Sequence, residues 1–426
     1  MILARTTSIS SKEERPMSDR PIPNIMDMTP GNPVFQADPH VVLDDLRSRC
    51  PAHEDPISGS LMLTRYEDVR GVVNNRELWR DPIRGTAGGL MQRRFEEQVI
   101  AGVPRTHITS ILTLDDPDHS RIRHPLAQAL YARVAKFRPQ VEELVDATLD
   151  AIEGETEFDL MDRYCVPIPI DAIARILGVD PSRLAEFRTW SEGVIQGLNP
   201  FRSAEQTAIM ETAAANLREY FLEMMAARRA APQDDLISDM VKLQAEGADL
   251  HDNEVCLNLQ ALLVGGNLTT TDLIGCAVRN LILNPSELAK LKADPGIINA
   301  VVEESLRYEP PIDITGRIAS SDTEIGGCPV KTGKSVMVSL RGANHDPEIY
   351  DDPHRFDVSR KHRPHVAFGG GAHICIGAPL ARLEAAVALV KLFERFPDLK
   401  LAHPDETPAW RTMPFFRGME TLQVIV

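Results

Sequence analysis

One cysteine near the C-terminus lies where its chemistry would be useful. Cys375 follows a glycine-rich loop at 368–371, and an amphipathic helix is predicted directly after it, over 378–396. A thiolate at a helix N-terminus is stabilised by the macrodipole and by unpaired backbone N–H groups. Glycines have no Cβ, so the loop can lie flat against a planar group. The stretch therefore predicts a sulfur ligand beneath a flat cofactor, and the alternative is an inert buried cysteine in a tight turn.

A second stretch with chemical potential lies inside the longest predicted helix, residues 252–283. Gly265 and Gly266 are adjacent, and each costs roughly 1 kcal/mol relative to alanine in a helix interior. Thr269 can bend the helix by donating a hydrogen bond to a backbone carbonyl. The pattern indicates either a tight helix crossing or a site where another group approaches the helix closely.

Charged residues at helical spacing supply further candidates. His119 and Arg123 are four residues apart and share one helix face, either as a solvated basic face or as an anion-binding pair. Glu304 and Arg307 are three apart in a helix predicted over 297–308, and alone they would be a surface ion pair of small energetic value.

Composition limits what these groups can belong to. The 426 residues are 43% hydrophobic and 25% charged, which suffices for a large core. Without linkers or repeats, we predict a partly disordered extension over 1–37 and a single domain over 38–426. The net charge of −16 argues against nucleic-acid and anionic-membrane partners. No apolar run reaches the roughly 18–20 residues that span a bilayer. The six cysteines form no Cys-x-x-Cys pair, and a cytoplasmic protein is expected.

The elements that must position these groups are mostly helical. The patterns predict a mainly α fold with small β-sheets (α+β). A segment over 80–111 has glycines, arginines and no clean period, which is typical of functional irregular structure. Further helices are predicted over 66–74, 115–130 and parts of 134–248, and strands over 61–64, 324–325, 329–330 and 335–340.

The loop at Cys375 resembles the haem-binding signature of the cytochrome P450 family, Phe-Gly-x-Gly-x-His/Arg-x-Cys-x-Gly. The resemblance extends over roughly residues 38–426. It implies a triangular helical prism around haem b, with a long central helix and the Cys375 thiolate as axial iron ligand. The soluble bacterial members, which lack an N-terminal membrane anchor, are the most similar type. The matching positions are Phe368, Gly369, Gly371, His373, Cys375 and Gly377.

The long helix resembles the family's oxygen-binding segment, Ala/Gly-Gly-x-Asp/Glu-Thr. Leu268 departs from it, because the family usually has a proton-relaying carboxylate there. Asn267, Asp272 or ordered water could take over the relay, or slow proton delivery could release peroxide. The resemblance implies catalytic roles for Gly265, Gly266, Asn267 and Thr269.

The resemblance assigns three more groups of residues. Haem propionates would be bound by His119, Arg123 and Arg317, and the cofactor would also touch Phe368, Gly369 and His373. A buried structural network that holds the cysteine loop would consist of Glu304, Arg307 and Arg355. The substrate pocket would include Leu268, Ile312, Asp313, Ile314 and Phe415.

The implied activity is a haem-thiolate monooxygenase that inserts one atom of O2 into a small or medium hydrophobic substrate. The reaction would be hydroxylation, epoxidation or O-dealkylation. No flavin or dinucleotide fingerprint is present, so electrons are expected from NAD(P)H through a ferredoxin and its reductase. Basic residues over 119–138 and 358–383, Arg121 and Arg133 among them, indicate a docking face or a merely solvated surface. The alternatives are a peroxide-driven peroxygenase, motivated by Leu268, and a non-enzymatic haem-binding protein.

Overall fold

Helices dominate the structure, as predicted. The computed structural model describes residues 21–86, 92, 96, 102–199, 201–361 and 364–426, so much of the irregular segment predicted over 80–111 lies outside the described residues. The helices are α1 (Pro33–Ala37), α2 (Pro39–Arg49), α3 (Tyr66–Asn74), α4 (Asp118–Val134), α5 (Arg138–Asp150), α6 (Pro167–Leu177), α7 (Leu184–Ile195), α8 (Ala204–Ala230), α9 (Leu236–Ala245), α10 (Asp252–Leu283), α11 (Pro285–Ala293), α12 (Ile298–Tyr308), α13 (Leu340–Asn344) and α14 (Ala378–Arg395).

Helix α10 is the centre of the molecule, and its predicted bounds are confirmed. The backbone N–H of His251 donates to the Glu254 carboxylate at 3.0 Å, which caps the first turn. Pro285 opens the next helix and ends this one. Helices α6, α8 and α14 pack around α10. Within the described residues it is the one helix long and apolar enough to cross a membrane, but 78% of its apolar window is buried inside the protein, as in a core helix.

The strands form three small sheets. The four-stranded sheet has the order β1 (Ala52–Glu54), β2 (Leu61–Leu63), β7 (Ser335–Ser339) and β4 (Ile314–Ile318), and only its β2–β7 pair is parallel, with Leu61 opposite Val336. The three-stranded sheet has the order β3 (Glu157–Asp159), β9 (Gln423–Ile425) and β8 (Lys400–Leu401), and β5 (Thr323–Ile325) pairs with β6 (Cys328–Val330). The strands predicted around 61 and 324–340 are confirmed.

The packed structure begins before the predicted boundary at residue 38. Ile25 and Met28 are buried in a cluster with Met62 and Met337 of the four-stranded sheet. The polar residues that suggested disorder act as caps instead: for example, Asn24 accepts a hydrogen bond from the backbone of Met26 at 2.9 Å. The described part of the extension predicted over 1–37, from residue 21 onwards, is therefore packed against the domain.

Candidate active site

The cysteine loop is fixed by its own backbone and by the end of α3. The backbone N–H of Cys375 donates to the carbonyl of Phe368 at 3.0 Å. Gly371 has φ of +63°, and a Cβ there would lie 2.7 Å from the carbonyl oxygen of Val73. A side chain at this position is excluded by both the backbone conformation and the contact. The loop consequently presents Cys375 in one orientation at the start of α14.

The thiol of Cys375 is solvent-accessible. Burial by the surrounding protein raises its pKa, while hydrogen bonds from the backbone N–H groups of Gly377 and Ala378 and the charge of Arg123 oppose that rise. Arg123 also donates to the carbonyl of Ile374, one residue before the cysteine. Donors and positive charge directed at the sulfur favour its thiolate form, which is the form that binds metals.

A basic cluster lies beside the loop. His119 and His373 have ring centroids 4.1 Å apart, and with Arg317 they line a cavity of about 150 Å³. Burial, followed by the charge of Arg123, lowers the pKa of His119 to about 4. Burial, followed by the charge of Arg80, lowers the pKa of Arg317 to about 9. Asp115 and Asp116 also line the cavity, and Asp116 Oδ1 lies 3.8 Å from His119 Nδ1. Neither aspartate forms an ion pair with Arg317, so the arrangement still favours an anion.

Arg80 is a member of this cluster that the sequence did not single out. Its guanidinium donates to Thr315 Oγ1 at 3.0 Å and to the carbonyl of Gly316 at 2.6 Å. Among the residues that the structure describes, no carboxylate lies within 4.0 Å of the guanidinium nitrogens of Arg80, Arg123 or Arg317. Arg80 belongs to no motif and begins the irregular segment over 80–111, so only its contacts across the fold identify it.

One face of α10 is open where the glycines lie. No atom of the described structure lies within 4 Å of an ideal Cβ on Gly265 or Gly266, outside the helix's own nearby backbone. Thr269 Oγ1 donates back to the carbonyl of Gly265 at 2.7 Å, as expected for a threonine that bends a helix. Leu268 is buried, with 6% of its surface exposed. Gly265 and Thr269 are four apart and thus share a face with room for another group.

Asn267 does not lie on that face. Its amide Nδ2 donates to Ser191 Oγ of α7 at 3.3 Å, and the residue is buried. Residues two apart on a helix point in nearly opposite directions, which separates Asn267 from Gly265 and Thr269. The predicted catalytic role of Asn267 is therefore corrected: the side chain holds α10 to α7.

Asp272, the other predicted substitute for the missing acid, is fully buried against the C-terminal segment. Burial raises its pKa to about 7, although Arg411 lies 3.0 Å from its Oδ1 and opposes that rise. A Cβ on Gly418 would lie 1.9 Å from the same oxygen. Its Oδ2 has no hydrogen-bond partner among the described residues.

The buried network around Glu304 has a different third member from the one predicted. Arg307 donates two hydrogen bonds to Glu304, at 2.7 and 2.8 Å, and all these groups are buried. Arg355 is 61% exposed and pairs with Asp357. Arg360, which is 12% exposed, lies 3.3 Å from Glu304 and replaces Arg355 in the network. The two arginines lie five residues apart in the sequence. Only the folded backbone shows that Arg360, and not Arg355, points toward Glu304.

The predicted pocket residues are dispersed. Asp313 is buried and its carboxylate is engaged by Arg341, so its assignment to the pocket is corrected to a structural ion pair. Ile314 is buried in the N-terminal cluster, where Phe415 packs against it. Ile312 packs against the cluster of the four-stranded sheet. A substrate-facing role for Ile312, Ile314 and Phe415 stays a prediction.

Two arginines of the expected docking face are already paired. Arg121 binds Glu254 through two hydrogen bonds, at 2.7 and 3.0 Å. Arg133 forms ion pairs with Asp234 and Asp239. Their charges are therefore largely neutralised, and the prediction that they attract a partner is wrong in this detail.

Known proteins resemble the chain over most of its length. A family model described as cytochrome P450 matches residues 296–416. Cytochrome P450 107B1 of Saccharopolyspora erythraea is 36% identical over 370 residues, which cover 85% of this chain and 88% of that protein. The 6-deoxyerythronolide B hydroxylase of the same organism is 33% identical over 394 residues, which cover 92% of this chain and 96% of that protein. The crystal structure of P450BioI in complex with hexadec-9Z-enoic acid ligated acyl carrier protein has a TM-score of 0.82 and 30% identity, and covers 92% of this chain and 99% of its own.

The fold and site thus define a thiolate-centred oxidoreductase scaffold. The chain belongs to the cytochrome P450 family and is a P450 monooxygenase, as its resemblance predicted. The family implies a haem-thiolate iron cofactor.

The residues present fit that group. Cys375 provides an accessible thiol, and the glycines of α10 leave room for a flat group where a Cβ would otherwise project. His119 Nε2 is buried without a partner among the described residues. It lies beside guanidinium groups, and such donors match the negative charge of the haem propionates.

Proposed function

We propose that this protein binds haem b through Cys375 and inserts one atom of O2 into a small or medium hydrophobic substrate. The reaction is hydroxylation, epoxidation or O-dealkylation, and the protein acts in the cytoplasm. The observation that carries the proposal is the accessible Cys375 thiol, which accepts hydrogen bonds from two backbone N–H groups. When bound, the haem supplies the activation of dioxygen, and a thiolate ligand favours cleavage of the O–O bond.

The chain's own residues hold and surround that group. Arg123, Arg317, Arg80 and His119 bind the propionates. Among the described residues the three guanidinium groups have no carboxylate within 4.0 Å, and His119 Nε2 is buried without a partner. Thr269 holds a proton at Oγ1, which donates to the Gly265 carbonyl at 2.7 Å, and the hydroxyl can rotate toward the open face of α10. The buried, apolar Leu268 cannot relay protons, so protons reach Thr269 through water.

The carbon monoxide difference spectrum of the reduced protein tests the thiolate ligand. Wild type is expected to show the red-shifted Soret band of a thiolate-ligated ferrous carbonyl. Cys375→Ser should lose that band, while Cys328→Ser, which changes a cysteine on β6, should keep it. A red-shifted band that survives in Cys375→Ser would disprove the assignment of the ligand.

The electron donor is a ferredoxin-type protein, supplied from NAD(P)H by a reductase. Ile374 of the cysteine loop is 47% exposed, Tyr131 on α4 is 39% exposed, and Lys136 is exposed two residues after α4 ends. An apolar centre with a cationic edge suits an acidic redox protein. Lys136→Glu should slow electron transfer at low salt, and Lys400→Glu on β8 should not. Equal electron-transfer rates in the two variants would show that the redox partner docks on another face.

Leu268 also favours a second function, in which hydrogen peroxide drives the reaction. Turnover with peroxide alone is compared with turnover supported by NADH, ferredoxin and reductase. Faster turnover with peroxide would favour the peroxygenase. Under the monooxygenase proposal, Leu268→Glu should reduce the fraction of electrons lost as peroxide, because it restores an ionisable group beside Thr269.

Substrate class is tested by titration of the ferric protein with hydrophobic compounds while the Soret band is recorded. The relatives named above include a hydroxylase for 6-deoxyerythronolide B and a protein bound to a fatty-acyl carrier protein. Macrolide-like and fatty-acyl compounds therefore join terpenoids, steroids and aromatic compounds in the panel. A shift to shorter wavelength identifies a ligand that displaces water from the iron. Compounds that shift the band but are never oxidised would count against the proposed reaction.

A further inference from the structure

Three histidines from distant parts of the chain meet outside the site described above. His40 lies in the first turn of α2, His345 follows α13, and His354 lies in the loop after it. The ring centroids of His40 and His345 are 3.9 Å apart, and those of His40 and His354 are 4.7 Å apart. One ring nitrogen from each residue lies within 4.8 Å of the others. Imidazole is the side chain that zinc and related divalent metals most often bind.

Two of these histidines each have a buried ring nitrogen without a hydrogen-bond partner among the described residues. His345 is fully buried; its Nδ1 lies 3.1 Å from the carbonyl oxygen of Arg341, and its Nε2 has no partner among the described residues. His40 Nδ1 is likewise buried and unpartnered within the described structure. When a backbone carbonyl accepts a hydrogen bond from one ring nitrogen of a histidine, the other ring nitrogen carries the lone pair and points away from that carbonyl. Histidines that bind metals in known sites are held in this way.

His354 has the complementary arrangement. Its Nε2 lies 2.7 Å from Asp44 Oδ2, and the ring is 42% exposed. A carboxylate that accepts the N–H of a histidine raises the basicity of the other nitrogen, so Nδ1 is the stronger ligand. The exposed ring also provides an entry path from solvent and the freedom to move inward.

The surrounding charges do not exclude a cation. Arg341 lies near His40 and His345, but it is paired with Asp313 and with Glu309 at 2.8 Å. Burial lowers the pKa of His40 to about 3 and lowers that of His345 well below its usual range, so both rings are neutral at pH 7. The two remaining arginines nearby are paired as well: Arg307 with Glu304, and Arg417 with Glu309.

We propose that His40, His345 and His354 bind one Zn²⁺ ion, with a water molecule as the fourth ligand. Tetrahedral zinc holds its nitrogen ligands at about 2.0–2.1 Å, which puts them roughly 3.4 Å from one another. The present spacing of up to 4.8 Å must contract when the ion binds, and His354, with 42% of its side chain exposed, is the ring with most room to adjust. The ion would fasten α2 to the loop that carries Arg360, and through it to the segment before Cys375. The site is independent of the haem and of the reaction.

The test uses the haem-loaded full chain after treatment with a chelator. Zn²⁺ is titrated in competition with a chromophoric chelator, and zinc-edge X-ray absorption reports the ligands without interference from iron. Wild type should bind one Zn²⁺ ion with three imidazole nitrogens. His354→Gln should weaken binding at least tenfold, and Asp44→Asn should weaken it less. His403→Gln is the matched control, because His403 is an exposed histidine 3.8 Å from Glu406.

Three results would overturn the proposal: no zinc bound by wild type, equal affinity in wild type and His354→Gln, or an absorption spectrum without imidazole ligands. Circular dichroism and the Soret spectrum establish that each variant is folded. Since the His354 side chain is 42% exposed, its replacement should leave both spectra unchanged.

Discussion

Replacing Arg360 should destabilise the protein far more than replacing Arg355. Arg360 donates to the carbonyls of Asp352 and Arg355, at 3.1 and 2.8 Å, and also to that of Asp351. It further lies 3.3 Å from Glu304. Arg360 thus connects the loop over 351–355 to α12, whereas the side chain of the exposed Arg355 pairs with the neighbouring acids Asp352 and Asp357.

The magnitude follows from these contacts. A hydrogen bond that involves a charged group contributes about 1.5–3 kcal/mol when it is buried. The three carbonyls lie near the surface and can bind water in the variant, and Glu304 keeps both hydrogen bonds from Arg307. Arg360→Ala is therefore expected to lower the free energy of unfolding by roughly 2–4 kcal/mol. Arg355→Ala should cost about 0–1 kcal/mol, the usual range for an exposed ion pair.

Urea unfolding of the haem-loaded variants, followed by far-ultraviolet circular dichroism, gives the comparison. The Soret band is recorded in parallel, because loss of haem and loss of helix need not coincide in a protein with a cofactor. The two arginines lie in one loop and carry the same charge, so each variant serves as the control for the other. If Arg355→Ala proved as costly as Arg360→Ala, the assignment of the network would be wrong.

Three more predictions concern the cofactor cluster, a buried carboxylate and a close backbone contact. Arg317→Gln should accelerate haem transfer to a scavenger protein about 10–100-fold, because one charged hydrogen bond of about 1.5–3 kcal/mol is lost. The control variant Arg138→Gln, which changes an exposed arginine, should leave the rate of haem transfer unchanged. Burial alone would raise the pKa of Glu254, but hydrogen bonds from Arg121 hold it at about 2. The stabilisation by the ionised Glu254 is present above about pH 4.5 and is lost as the pH falls towards 2. The difference in urea midpoint between wild type and Arg121→Gln should therefore be largest at pH 7 and should shrink below pH 4.5. Gly418→Ala should cost about 1–3 kcal/mol or more in thermal or urea unfolding, because its Cβ would lie 1.9 Å from Asp272 Oδ1; unchanged stability would show that the backbone there can move.

The sequence predicted the parts of this structure that depend on local pattern. The bounds of α10 follow from its apolar length, the acids in its first turn and Pro285, all of which act within a few residues. The glycines of the Cys375 loop likewise have a local reason, since Gly371 adopts a positive φ.

The errors concern contacts between distant segments. Asn267 and Thr269 look equivalent in the sequence. The position of α7 distinguishes them, because Ser191 on α7 accepts a hydrogen bond from Asn267. The same holds for Asp313, whose partner Arg341 lies on α13 after four intervening strands. Polar residues near Asn24 suggested disorder. They act as helix caps instead, but this role depends on the burial of Ile25, the next residue, which the sequence pattern does not reveal. Periodicity does not contain this information.

The pairing of β2 with β7 has a consequence for how the protein is made. Leu61 lies opposite Val336, and Ile25, Met28 and Met62 share a cluster with Met337. At ribosomal rates of about 5–20 residues per second, the early segment must wait roughly 14–55 s for its partner to be synthesised. During that time its apolar side chains and the edge of β2 are uncovered, which is the condition under which nascent chains aggregate. Yield in a heterologous host should therefore respond to chaperone supply and to slower growth at low temperature.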